Sequence, residues 1–543
     1  MDQSANENLR RHFLLTGNPI AVILSVTLPL LFHNSLNLIF SFFDTFTAAN
    51  LNMNVVTTVS FISDIRIALG TIAGGLSVGA GIMISRSFGR GDDEEVQSYI
   101  STVFFMVLLV AVLVLAAVLP FSVPILRLFA FPESLLNQGA FFLTISVLTL
   151  IFSFINTIFF STEKARGRTK IVMYGNLVVL GIKTILNIAI ITLVSVRRLR
   201  TDFAMYLLPV ASGFSYAVMT LFAILRLFSK DNPFRVRWKC TCFRKVFLLP
   251  LAKLSFPVFV EKFLVPFGKV ICNGLYVGFG SVGLAAYSCS QRILALASTP
   301  LNSFKDAESN IVSANLGSRD AERAITFLFC TTIVTLVTCL FLFTVVSVFI
   351  DPLVHFFSKD NADMAQKMMA IYRIERWAAF FDAIDGAMCG FLYARKKTKL
   401  PTIINIAKLF AIRIPLFLLL TKAFGLGIEA IAWSIFVSNC ADALLSIIFA
   451  VHAVRELRRT SAIEATNNEK LHSAIVMLGK WDAFDEGQTR GYGITVPDVV
   501  LELMRKKYGG TLASKEMSAV YKEAVVEERI EALEKQENEA LEM

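Results

Sequence analysis

Charge is scarce in this sequence: only 17% of its 543 residues are Asp, Glu, Lys or Arg, against 55% hydrophobic residues and 48 Phe. That shortage excludes a chain folded around one water-facing core, because too little polar surface would remain to cover it. Cysteine is sparse as well. Of the eight, Cys272, Cys289, Cys330, Cys339, Cys389 and Cys440 fall in apolar stretches, where Cys behaves as a small apolar residue. Cys240 and Cys242 sit in a polar segment, and a single CxC lacks the second ligand pair of a structural zinc site. Neither a metal nor a disulfide is expected. No nucleophile elbow, phosphate-binding loop or HExxH motif occurs. Asp44 and Asp64 lack the flanking glycines of an intramembrane aspartyl protease, so nothing points to an enzyme. The first apolar stretch is too long for a secretory signal and has no small-residue cleavage site after it, so insertion by uncleaved spans is expected.

What the chain has in quantity is long apolar runs. A transmembrane helix takes about 20 mostly apolar residues to cross about 30 Å of hydrocarbon. Twelve such stretches are read, at 18–43, 53–80, 99–127, 138–161, 170–195, 203–228, 250–278, 282–304, 325–350, 366–393, 402–421 and 426–452. The sequence therefore predicts an all-α membrane protein. Roughly two dozen Lys and Arg fall on one side of these spans and about seven on the other, which places both termini in the cytoplasm. The RRLR cluster at 197–200 runs against that pattern. Basic loops facing anionic lipid account for the net charge of +10, so nucleic acid is not expected as a partner. The expected location is the plasma membrane, the inner membrane in a bacterium.

The spans come as two sixes. Pro29 in TLPL and Pro257 in SFPV lie 228 positions apart, as do Gly89 in ISRSFGRGDDEE and Gly317 in VSANLGSRDAER. LRLFAFPE (126–133) pairs with VHFFSKDN (354–361), and GRTK with KKTK, where Lys170 and Lys399 are 229 apart. Six being even, the halves are parallel repeats: an N-lobe at 18–228 and a C-lobe at 250–452, related by a pseudo-two-fold along the membrane normal. A cytoplasmic segment (1–17) precedes them, a basic linker (229–249) joins them and a charged extension (453–543) follows. In transporters of that design the sites lie near mid-depth, and one half rocks against the other.

These residues resemble the multidrug and toxin extrusion (MATE) transporters of the multidrug/oligosaccharidyl-lipid/polysaccharide exporter superfamily. The resemblance covers about residues 15–452 and is carried by Pro29, FDT at 43–45, GLSVGAGIMISRSFGRGDDEE, Leu186-Asn187, LSFPVFVEK, VGFGSVGLAAYSCSQRI and NLGSRDAERA. It implies twelve helices in two lobes, an outward-opening cleft, and export of amphipathic, often cationic compounds driven by H⁺ or Na⁺. It also implies Asp44 as the coupling carboxylate with Asn187 in its network. The family's NxxLD acid is missing, since Ile191 stands there, and AANLNMN after the first span lacks the family's glycines. Flippases for lipid-linked sugars share the superfamily, so an anionic lipid-linked or glycan cargo is the alternative.

Read on their own, the polar residues form stripes. In HNSLNLIFSFFD, Asp44 lies about 20° around a helix from His33, with Asn37 and Ser41 at about 40° and 80°. A charge in hydrocarbon costs about 3 kcal/mol on insertion scales, so this face should meet protein or water. Asn176, Lys183 and Asn187 repeat the arrangement on the fifth span, and Lys183 is expected to pair with Asp44 in a proton-dependent way. The ammonium disfavours Na⁺, leaving H⁺ ahead without excluding Na⁺. In the second half Glu261, Lys262, Lys269 and Asn273 mark the seventh span, and Glu375, Asp382 and Asp385 the tenth, with Lys408, Arg413 and Asp442 beyond. Glu261, Lys269, Asn273, Asp382 and Asp385 are candidate cleft residues for cargo or ion, alongside His33, Asn37 and Asn176. No cofactor beyond the coupling ion is called for. Small organic cargo and membrane lipid are the expected partners of a monomer. The extension, with a helical period from Ser514, could bind a cytoplasmic partner.

Overall fold

In hydrocarbon a backbone must satisfy its own polar groups, which leaves a long apolar run little choice but helix. The computed structural model describes residues 3–481 apart from 52, 129–132, 134–135, 197–200, 231 and 359–360, and along 40–57 and 464–481 the backbone alone. RRLR at 197–200 and the extension beyond 481 lie outside the described residues. The chain divides into two units, Met1–Arg455 and Glu456–Met543, and the described part of the second is helical.

In the first half run α1 (Gln3–Thr16), α2 (Pro19–Leu51), α3 (Met53–Arg90), α4 (Asp93–Val118), α5 (Ser122–Leu128), α6 (Leu136–Leu148), α7 (Leu150–Ala165), α8 (Thr169–Ser195) and α9 (Thr201–Phe228). In the second run α10 (Lys245–Tyr276), α11 (Gly280–Gly317), α12 (Ala321–Val348), α13 (Ile350–Ser358), α14 (Ala362–Ala394), α15 (Lys399–Ala407), α16 (Ile414–Lys422) and α17 (Glu429–Trp481). Among the described residues no strand occurs, and nine helical stretches are long and apolar enough to cross a membrane. The stretches covered by α10, α11 and α14 are not among the nine.

Three boundaries differ from the sequence reading. The 48–54 stretch, read as a loop, is helical on both sides of residue 52, because Ala, Asn, Leu and Met do not break a helix. The fourth span divides into α6 and α7 at Thr149, whose hydroxyl bonds back to the carbonyl of Ser146. The eleventh is interrupted by a π turn over Lys408–Arg413. Pro415 follows it; with no N–H to donate, and a ring that crowds the carbonyl four residues earlier, it loosens the helix at that point.

The repeat recurs in the backbone. Asp92 caps α4 by accepting from the Glu95 amide at 2.9 Å, and Asp320, 228 positions on, caps α12 from Arg323 at 2.9 Å. Before each cap the chain turns left-handed, at Gly91 (φ 85°) and Arg319 (φ 63°), again 228 apart. Gly167 (φ 70°) and Lys396 (φ 61°), 229 apart, do the same. A Cβ on Gly89 would run into the carbonyl oxygen of Ala314, and one on Gly317 into that of Arg86. Since Arg86 and Ala314 are also 228 apart, the two contacts are one contact repeated by symmetry, and they bring the backbones of α3 and α11 together.

Other contacts across the seam cluster towards that end. Ser85 donates to Asn310 at 3.0 Å, Asn34 to Ser303 at 2.8 Å, and Gly75 and Gly79 of α3 leave room for Phe259 and Ser255 of α10. Further along α3, Gly70 has nothing within 4 Å of where its Cβ would be. The helix α1 lies across the closed end. Its Glu7 accepts from Arg166 at 3.3 Å and pairs with Arg168, Arg11 pairs with Asp93, and Arg323 donates to the carbonyl of Gly17.

Two stability changes follow. Replacing Arg319 by Gly relieves a left-handed backbone and should raise stability by roughly 1 kcal/mol, seen as a higher thermal midpoint in detergent. Glu7→Ala takes from Arg168, whose side chain is 9% exposed, its carboxylate partner and leaves Arg166 with Glu163 alone, and should cost about 3 kcal/mol by the same measurement.

Candidate functional site

In the first half α2 packs on α8, and their polar stripes meet. Asn176 donates to Asn37 at 2.9 Å, and the Asn37 amide lies 3.2 Å from Nε2 of His33. The His33 ring sits edge-on to Phe160 at 5.9 Å. Asn187 is buried and Lys183 half-buried on the same helix. The side chain of Asp44, expected opposite Lys183, lies outside the described residues.

The second half holds a cavity of about 500 Å³ between α10, α11, α14, the π turn and α17. Lys269, Asn273, Glu375, Asp382, Lys408 and Arg413 line it. Lys269 and Asn273 reach it because they lie four apart on α10, one helical turn. Glu375 and Asp382 are seven apart on α14 and share a face, as their spacing predicts. Lys408 and Arg413 arrive from the two ends of the π turn, a local widening of the helix that is common at functional sites. The ammonium of Lys408 stands 2.9 Å from Asp382 and 2.7 Å from Asp442, whose side chain is fully buried. One cation is thus shared by two carboxylates, and a single added proton would balance the trio. Arg413 uses its fork on neutral groups, the Ser438 hydroxyl and the Asn439 side-chain oxygen, both at 3.0 Å. Glu375 accepts from Gln291 at 2.5 Å.

Glu261 lies next door, joined to the cavity through Asn405, which lines it. Its carboxylate accepts from Tyr393 at 2.6 Å, Asn405 at 3.2 Å and Thr402 at 3.4 Å, and Lys305 stands 3.6 Å away. Across the seam Lys164 of α7 pairs with Asp306 of α11 at 3.0 Å. Asp385 does not line the cavity; it is buried against Ser446 of α17 and takes a bond from Cys389 at 3.2 Å. Three residues from Asp382 is a 300° turn, enough to carry Asp385 to the neighbouring interface. Sequence reasoning passed over Lys305, Asp306, Tyr393 and Asn405. The polar run NSFKDAESN (302–310) was the signal for Lys305 and Asp306, but it reads as the end of a span, whereas α11 continues to Gly317.

A family model described as MatE matches residues 29–189 and 257–419, one block in each half. The multidrug export protein MepA of Staphylococcus haemolyticus is 23% identical over 437 residues, 79% of this chain and 92% of that protein. The probable multidrug resistance protein NorM of Thermotoga maritima is 21% identical over 423 residues, 76% of this chain and 87% of that one. Among solved structures, the crystal structure of MATE in complex with MaL6 superimposes with a TM-score of 0.77 at 16% identity, covering 82% of this chain and 99% of that chain. The fold is therefore shared along nearly the whole of that structure.

The ion pairs separate two kinds of lysine. Lys408→Met leaves Asp382 and Asp442 without their cation and should cost about 3 kcal/mol or more. Lys269→Met removes a charge that has no ion-pair partner among the described residues and should cost less than about 1 kcal/mol. Thermal unfolding of both variants in one detergent checks the order.

Proposed function

The chain belongs to the MatE family, whose model matches both of its halves, and from that premise we propose that it is an antiporter exporting amphipathic organic compounds, driven by H⁺ or Na⁺ flowing inward. The seam carries this reading: two halves touch through α3 and α11 at one end, while a charged and partly apolar cavity lies against α10, a helix that also borders the seam. Such a body can rock about its closed end and present the cavity to alternate sides. Relatives named for multidrug export and resistance support the cargo class. The finer features belong to the same proposal: twelve spans in two lobes, the charged helices α10, α11 and α14 completing the count, with both termini and the closed end at the cytoplasmic face of the plasma membrane.

Coupling is assigned to acids that a lysine holds. In the trio of Asp382, Lys408 and Asp442, a proton on one carboxylate loosens its hold on the ammonium, and water reaching the cavity can take the proton away. The competing ammonium makes the trio a poorer Na⁺ site than bare carboxylates would be. Asp44, with Lys183 and Asn187 on α8, is the first-half counterpart.

Proteoliposomes under imposed proton or sodium gradients test this, with ethidium and a dansylated fatty acid as probes. One gradient should drive export of at least one probe, and Asp382→Asn or Asp44→Asn should cut the driven rate roughly tenfold or more while leaving downhill exchange. Export that ignores both gradients, or Asn variants that both pump like the parent, would remove the coupling assignment.

A further inference from the structure

The charged groups around the cavity are engaged unevenly. Asp382 and Asp442 share Lys408, Glu261 has Lys305 and three neutral donors, and Asp306 has Lys164. Glu375 is the cavity acid without a cation, and it is buried behind the Gln291 amide. On the cationic side Arg413 is bonded to neutral groups only, and among the described residues neither Lys262 nor Lys269 has a carboxylate at ion-pair distance. Both lysines are exposed. Arg413, Asp382 and Lys408 surround Lys269, and Asp306, Glu261, Lys305 and Lys164 surround Lys262.

Their placement is regular. Seven residues apart on α10, the two lysines share a face and stand about 10 Å apart along the helix. Lys269 lines the cavity. Lys262 stands at the seam, its stem lying over α3 where Gly74 has no side chain: a Cβ there would come 3.3 Å from Cδ and 3.7 Å from Nζ. The glycine therefore gives the lysine a notch in the opposite half. Between these cations and the apolar lining from Val265, Leu294, Phe343 and Ile435, an apolar body with an anionic head finds both its contacts.

We propose that the cargo of this cavity is an amphipathic organic anion, its carboxylate, sulfonate or phosphate head held by Lys262 and Lys269. The proposal rests on the exporter reading for the site but is tested by binding, without any gradient, so the two stand or fall separately. The probe pair is 11-(dansylamino)undecanoate and its methyl ester, identical except for the charge, titrated against the full chain in nanodiscs of zwitterionic lipid with empty nanodiscs as background. The parent should bind the acid roughly tenfold more tightly than the ester, and added salt should erode the difference. Lys262→Gln with Lys269→Gln should bring the two affinities together, while Lys262→Arg with Lys269→Arg should keep them apart, with unchanged thermal midpoints showing that all variants fold. Nanodiscs containing phosphatidylglycerol then assign the source of the head group: competition with the probe means a bilayer lipid, and none means a free amphipathic acid. Equal affinity of the parent for acid and ester, or a preference that survives in the double Gln variant, overturns the proposal.

Discussion

Two glycines make this architecture possible. At Gly89 and Gly317 the backbones of α3 and α11 approach so closely that any side chain on either would strike the facing carbonyl. Because each glycine meets the residue that stands, in the repeat, where its own neighbour stands, the contact is self-complementary in the way of a two-fold interface, although both sides belong to one chain. It holds the halves together through shape, with no ion pair needed at the point of closest approach. Further along, α3 packs on α10 through Gly75 and Gly79, and the cavity lies within the second half, between α10, α11, α14, the π turn and α17.

The ionic groups divide the labour around this contact. Lys164 with Asp306, and Arg323 with the carbonyl of Gly17, tie segments of one half to those of the other. Within the second half, Lys408 binds two acids while Arg413 is held by a hydroxyl and an amide. A buried charge that keeps a partner is inert until the partner changes its protonation, and one without a partner attracts a ligand. The cavity has a paired lysine and an unpaired one within one wall.

Much of this was legible in the sequence. Apolar runs gave the helices, since hydrocarbon allows a backbone few alternatives, and the 228-residue offset gave the repeat down to the capping acids and left-handed turns. Helical spacing placed Glu375 with Asp382, whereas the bond between Asn37 and Asn176 came only with the structure. Continuity was harder to read. Thr149 and the π turn interrupt spans whose hydropathy is unbroken, because such breaks depend on one hydroxyl or one missing amide. The polar run after Phe304 looked like water-facing chain, yet Lys305 and Asp306 are held inside by Glu261 and Lys164. A polar residue's destination depends on partners far along the chain, and spacing within one helix does not contain them. Asp385 shows the same limit, three residues from Asp382 and bonded to a different helix.

The docked helix α1 bears on how the molecule is made. Glu7 and Gly17 leave the ribosome well before their partners Arg166 and Arg323, which lie 159 and 306 positions further along the chain. Until then a short polar helix has nothing to hold it, because an isolated segment of that length is marginal in water. Its anchoring is a long-range closure that waits for those partners, so a segment translated early is late to find its place.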